Sequence, residues 1–329
     1  MNYWYGKKVL ITGGAGFIGS FMAEELVNFG SRVTVVDNLK RGNVRNLDAV
    51  IKNIEFIQCN LTDFNSCLNV CKGMDAVLHL ASDAYGLSYS YKHHSEILTH
   101  NILLNTNVLK ACHSNDISRI LAVSSSCVYP DDSKTPTEEC ACFVGEPESA
   151  NIGYGWSKRL LEIQARQLHE DYGTEIGIVR PANVYGPRDP IVGKGTHVIP
   201  SLIYKTLRET GPIVVWGSGN QTRDFVFVKD VVKAMLLVTE KYPIARPVNI
   251  GYEDTTTMKE LIAVIMKLSG IQREIKFDKT KPEGARHKSV TINLLKEVTG
   301  FVPQTPLDEG LEETIAFCKE ELLRIPTLG

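Results

Sequence analysis

The sequence predicts an α/β fold, a doubly wound parallel sheet carrying a smaller mixed α/β lobe. Three observations lead there. Short β-branched runs alternate with longer helical patterns over the first 180 residues, which implies a parallel sheet with helices on both faces. The runs are nearly all apolar, as strands covered on both faces must be. The first run opens directly into a glycine-rich turn and a helical pattern.

Lys8–Thr12 reads as the first strand, and the apolar spacing over Phe17–Phe29 as the helix that follows it. Arg32–Asp37 and Ile54–Gln58 are the next two strands, and Phe64–Cys71 is a short helix before the strand Ala76–Ala81. Ser95–Ser114 is a long helix feeding the strand Ile120–Ser124, and Gly155–Tyr172 leads into Glu175–Arg180. After Pro181 the rhythm breaks at the turn-rich segments Asn183–Pro190 and 194–200. Helices near 200–209, 230–241, 257–269 and 309–323 follow, with strands near 213–216, 224–228 and 247–250. The reading is two units, 1–180 and a lobe 181–329 interleaved with it.

Composition narrows the function classes. With 36 basic and 38 acidic residues the net charge is -2, which gives no basic field for nucleic acid or an anionic membrane. Apolar runs are strand-sized, too short to cross a bilayer. The N-terminus lacks the charged-then-apolar order of a signal peptide, so a cytoplasmic location is expected. The eight cysteines include no CxxC pair and no histidine at zinc-finger spacing, and His93-His94 has no acidic partner at metal spacing. No metal is expected.

Gly13-x-x-Gly16-x-x-Gly19 sits between the first strand and its helix. Gly13 permits the tight turn, Gly16 lets backbone N–H groups approach a pyrophosphate at the helix N-terminus, and Gly19 allows close helix–strand packing. Asp37 ends the second strand 18 residues beyond Gly19. A carboxylate there accepts hydrogen bonds from both ribose hydroxyls and repels a 2′-phosphate, so residues 1–180 read as a Rossmann unit that binds NAD. Arg41 leaves NADP as the alternative.

Tyr154 and Lys158 lie four apart on one helix face. A phenol with an ordinary pKa near 10 is a poor base at neutral pH, and an ammonium one turn away lowers it toward the working range. Ser125 follows the strand ending at Ser124, at the carboxyl end where a hydroxyl reaches a substrate oxygen.

These motifs resemble the extended short-chain dehydrogenase/reductases of the nucleotide-sugar epimerase/dehydratase family. TGGAGFIGS at 12–20, LHLAS at 78–82, SSSCVYP at 124–130, YGWSK at 154–158 and RPANVYGP at 180–187 stand in the family's order. The resemblance makes Tyr154 the proton-transferring phenol, Lys158 the ribose anchor that tunes it, and Ser125 the group orienting the substrate hydroxyl. It lays Phe17, Ile18, Asn38, Asn60, Leu61, Leu80, Ala81, Ser82 and Asn101 against the cofactor. Asn60 departs from the Asp usual there.

Within the family the chain resembles the branch holding GDP-fucose synthase and GDP-mannose 3,5-epimerase. Residues 125–130, 195–202, 215–225 and 277–284 carry that likeness. It implies a second acid/base pair, Cys127 and His197, whose ordinary pKa values, about 8.5 and 6.5, lie near neutrality. Such groups could move protons at C3 and C5 of a sugar oxidised at C4. The likeness also puts Asn183, Val198, Lys205, Trp216, Arg223 and Arg286 against a nucleotide sugar, with Arg286 displaced by one residue from the family's arginine. A 4-keto-sugar epimerase-reductase, a simple 4-epimerase and a 4-dehydrogenase stay open. A 4,6-dehydratase fits less well, because Ser126 and Cys127 replace its acid pair. A homodimer formed by the helices at 95–114 and 155–172 is implied as well.

Overall fold

The computed structural model describes residues 2–324 apart from 194, 282 and 283. Parts of the segments 194–200 and 277–284 quoted above, and the end of the lobe at 325–329, therefore lie outside the described residues.

The chain runs β1 (Lys8–Thr12), α1 (Phe17–Asn28), β2 (Arg32–Asp37), β3 (Ile54–Gln58), α2 (Phe64–Cys71), β4 (Ala76–His79), α3 (Leu87–Ser90), α4 (His94–Ser114), β5 (Arg119–Val123), α5 (Ile152–Tyr172) and β6 (Glu175–Pro181). It continues through β7 (Asn183–Tyr185), α6 (Val198–Arg208), β8 (Ile213–Trp216), β9 (Thr222–Arg223), β10 (Phe225–Phe227), α7 (Val228–Lys241), β11 (Ile244–Ile250), β12 (Thr256–Thr257) and α8 (Met258–Ser269). β13 (Ile275–Asp278), β14 (His287–Lys288), α9 (Asn293–Thr299) and α10 (Leu307–Arg324) close it.

A seven-stranded sheet of order β11-β6-β5-β4-β1-β2-β3 forms the centre, and every neighbouring pair is parallel. Both faces are buried, which explains the missing polar alternation. Val9 and Ile11 pack with α1 and α7, while Leu10 turns to the layer of α2, α4 and α5. The expected doubly wound parallel sheet is the one found. Its order reverses between β1 and β4, so a crevice opens beyond their carboxyl ends.

Local chemistry sets the ends. α5 stops at Gly173, which takes φ 72 as a left-handed cap. α8 starts with a capping box between Thr257 and Glu260. α7 and β11 return from the second half to the central sheet. The remaining small strands pair as β7–β10, β8–β13 and β12-β9-β14 beside the crevice. Sequence periodicity missed β7, β9, β12, β13, β14, α3 and α9, because two to seven residues are too few to display a period.

Candidate active site

The carboxyl ends of β1, β2, β4, β5 and β6 open into a cleft of about 720 Å³, closed on its far side by residues of the second half. At its cofactor end Gly13 has φ +69, and a Cβ on it would meet the backbone of Ala81 at 2.7 Å. A Cβ on Gly19 would sit 2.3 Å from the Gly13 carbonyl oxygen. The backbone is thus folded tightly enough to bring α1 up to the cleft. Asp37 is buried at the tip of β2 and accepts from the Ala15 N–H at 3.1 Å and the Leu39 N–H at 2.8 Å. Burial raises its pKa and those amides oppose the rise. Lys40 bridges from the same loop to Asp83 at 2.7 Å.

At the centre lie Ser125, Tyr154 and Lys158. Ser125 accepts from the Cys127 N–H at 3.1 Å, so the short turn after β5 orients its hydroxyl. Lys158 donates to the Val123 carbonyl at 2.8 Å, and burial pulls its pKa down to about 8. Its ammonium stands 5.5 Å from the Tyr154 ring centroid. Contrary to the lowering expected from Lys158, burial pushes the Tyr154 phenol up, and the Cys127 charge adds to that. His79 is buried between Thr12 and Asn105 and is pushed down to about 4 by burial and by Lys158. It stays neutral and leaves Lys158 as the local cation.

A buried polar network supports this centre from below. Arg180 grips Glu162 through two hydrogen bonds, 2.8 and 2.6 Å, and donates to the Tyr129 hydroxyl at 2.9 Å. Ser124 donates to Glu162, and Tyr129 donates to Asn249 at 2.6 Å. β5, α5, β6 and β11 are pinned together just behind Ser125 and Tyr154.

Two acid/base arrangements flank the centre. After β5, the Cys127 sulfur lies 3.5 Å from the Lys288 Nζ, which is 2.7 Å from Glu148. Burial pushes the Cys127 thiol up to about 11, Lys288 pulling the other way and Glu148 adding to the rise. Glu148 falls to about 2: burial opposes, and the Lys288 charge prevails. Before α6, His197 Nδ1 meets Asp189 at 2.9 Å, and the buried Asp189 carboxylate raises the imidazole pKa despite burial. Arg188 ties that loop to α1 through Glu24 at 2.5 Å, and Gly86 N–H donates to the Gly195 carbonyl at 2.6 Å.

Residues 9–251 match the model of the NAD dependent epimerase/dehydratase family. The chain belongs to that family. GDP-mannose 3,5-epimerase 1 of Oryza sativa subsp. japonica is 30% identical, covering 100% of this chain and 86% of that one. A dTDP-4-dehydro-6-deoxy-D-allose reductase of Streptomyces is 32% identical over 94% of this chain and 96% of its own length. In structure, UDP-glucose 4-epimerase of Thermotoga maritima superposes with a TM-score of 0.86 at 29% identity, covering 96% and 99% of the two chains.

The family's NAD suits this epimerase/dehydratase's own donor set. Gly13, Gly16, Phe17, Ile18 and Gly19 line the cleft with Asp37, Asn38, Asn60, Leu61, Leu80, Ala81, Ser82, Tyr154 and Lys158. So do Ser125, Cys127, Asn183, His197, Val198, Lys205, Trp216 and Arg223. Two predicted residues are not on the wall. Asn101 is buried behind it, holding Ser82, the Asp83 N–H and the Asp83 carbonyl at 2.8–3.0 Å, so it shapes the cofactor turn from outside. Arg286 is exposed in the bend just before β14 and is not among the lining residues.

Sequence reading missed Glu148, Asp189 and Lys288. Asp189 carries a faint signal, eight residues before His197 in a rigid turn. Glu148 and Lys288 carry none, because 140 positions separate them and only the folded second half brings them to Cys127. Among the described residues no group of three or more side chains could hold a metal, and no helix is long and apolar enough to cross a membrane.

Proposed function

We propose that this chain is a nucleotide-sugar epimerase that works through a transient 4-keto sugar and inverts C3 and/or C5 of a GDP-sugar. The observation that carries the reading is one cleft holding the Ser125/Tyr154/Lys158 centre together with Cys127 and His197. The first set suits reversible oxidation at C4. The second supplies two further proton-moving groups from separate elements, which a simple 4-epimerase does not need. The GDP preference rests on the likeness to GDP-mannose 3,5-epimerase.

Gly13, Gly16, Gly19 and Asp37 would hold NAD, which when bound would supply a reversible hydride acceptor for C4. The chain does the rest. Tyr154 accepts the C4 hydroxyl proton while Ser125 donates a hydrogen bond to that oxygen. Lys158 supports the ionised phenol. The new carbonyl acidifies the neighbouring C–H bonds. One flanking group removes a proton there and the other delivers one, so the carbon inverts. Trp216, Lys205 and Arg223 take the nucleotide end, where Arg223 suits a diphosphate. In this reading residues 1–180 hold the cofactor, and 181–329 supply most of the sugar-nucleotide side. The enzyme works in the cytoplasm, and a second copy pairs through α4 and α5, which expose Leu103 and Leu160.

An epimerase-reductase of the fucose-synthase kind is the second reading. It draws on the reductase relative and on Arg41, which lies over the Tyr85 ring and whose buried Nη1 has no hydrogen-bond partner among the described residues. One experiment separates the two. The protein is incubated with GDP-, UDP- and dTDP-sugars in D₂O and followed by NMR. Deuterium at C3 or C5 without net cofactor consumption supports the epimerase. Stoichiometric NADPH consumption selects the reductase, and epimerisation without ring deuterium reduces the activity to C4.

A further inference from the structure

We propose that Lys288 is the positioning residue for Cys127: its ammonium, clamped by Glu148 against the sulfur, eases ionisation of the buried thiol so that it can take a proton from the sugar ring. The inference rests on the acid/base role given to Cys127 above and names what makes that role workable.

Lys288 ends the two-residue strand β14, whose backbone is fixed by pairing with β9 and by the Asp224 N–H donating to its carbonyl at 3.0 Å. Its side chain is 15% exposed and turns inward. The Nζ meets Glu148 at 2.7 Å and the sulfur at 3.5 Å. An ammonium has three donors, so one serves the carboxylate and another the sulfur. Glu148 is held in turn by the Asn151 amide at 3.1 Å, and its N–H donates to the Cys127 carbonyl at 3.3 Å. The cation is therefore locked relative to the very turn that carries the thiol.

A structural staple between the halves would need only Glu148 and Lys288. The placement beside sulfur goes further. With the thiol neutral, the cluster of Glu148 and Lys288 carries no net charge. Once the thiol ionises, the cation sits between two anions, where its attraction is felt most in a water-poor setting. The other groups near the cluster are Ser125, Tyr154 and the Arg223 guanidinium from β9. In the step itself the ring C–H proton passes to sulfur, and the C–H electron pair moves into the C4 carbonyl as an enolate. The thiolate becomes a thiol and no redox partner is required. His197, whose imidazole pKa is raised by the Asp189 carboxylate, then supplies the returning proton.

The test is the pH dependence of Cys127 alkylation by iodoacetamide in NAD-loaded protein, read by peptide mass spectrometry. Lys288→Met is expected to move the midpoint up by at least one pH unit, a tenfold loss of thiolate, and Lys288→Arg to restore most of it. An unchanged midpoint in Lys288→Met overturns the proposal. If that variant does not fold, Glu148→Gln reads the cluster from the other side. The Gln carbonyl oxygen still accepts from Lys288 and keeps the clamp, so removing only the repelling charge is expected to lower the midpoint, and an unchanged or higher value overturns the proposal. No sugar is present, so the result stands apart from the epimerase reading. In D₂O with substrate, Lys288→Met is further expected to cut ring deuteration more than tenfold and Lys288→Arg to restore most of it. Absent deuteration in the unsubstituted protein would sink the epimerase reading and leave the thiol titration as a separate answer.

Discussion

The two walls of the cleft are built differently. The cofactor wall is mostly backbone: a glycine turn between β1 and α1, and the loops after β2 and β4. Its parts lie close in sequence, and their geometry follows from where a Cβ cannot fit. The sugar wall is made of side chains brought from 127, 148, 189, 197, 223 and 288. Its geometry follows from ion pairs, one of them, Glu148–Lys288, spanning 140 positions. The first wall can be read from spacing; the second is an outcome of packing. The first suits a cofactor common to the family, and the second is where one substrate or reaction can be exchanged for another.

Substitutions can test this division, beginning with the group that serves both walls. Tyr154→Phe is expected to lower turnover about 10³-fold, within the range for losing a positioned acid/base group, while NAD stays bound. Retained activity in a coupled assay would remove Tyr154 from the chemistry. On the cofactor wall, Gly19→Val pushes side-chain atoms into the Gly13 carbonyl and the Gly14 backbone. It should cost about 1–3 kcal/mol of stability by overpacking and release NAD on gel filtration. Unchanged melting and unchanged NAD content would mean that the turn is looser than its contacts imply.

On the sugar wall, Asp189→Asn removes the charge that raises the His197 pKa. A raised folded-state pKa stabilises the protein below the unfolded value, near 6.5, and that contribution fades as pH rises through the folded pKa. The variant should therefore lose stability on the acid side, and its His197 NMR titration should move to lower pH. A titration that does not move would break the His197–Asp189 pairing. The smallest effect is expected from Arg286→Ala, which leaves the cleft wall intact. A change in KM within twofold is predicted, and a tenfold rise would return Arg286 to the substrate.

Particular residues show how legible the molecule was. β1, β2 and α2 are found where the apolar runs put them, because a doubly covered strand or an amphipathic helix writes its burial into local sequence. Gly13, Asp37 and Tyr154 were legible for the same reason, each tied to a strand end or helix start. Asn101 was misplaced because its side chain supports the cofactor turn from behind. Its residue type and helix position are the same in either role. Lys288 was invisible, since an isolated lysine on a two-residue strand has no pattern until it meets Cys127.

The sequence by itself determined the doubly wound sheet, the NAD turn and the Tyr154/Lys158 pair, because each is a short-range consequence of backbone sterics or helical spacing. The tertiary structure alone decided which charges stand beside Cys127. Those contacts span up to 161 positions, and only long-range packing fixes which distant ion reaches which nucleophile.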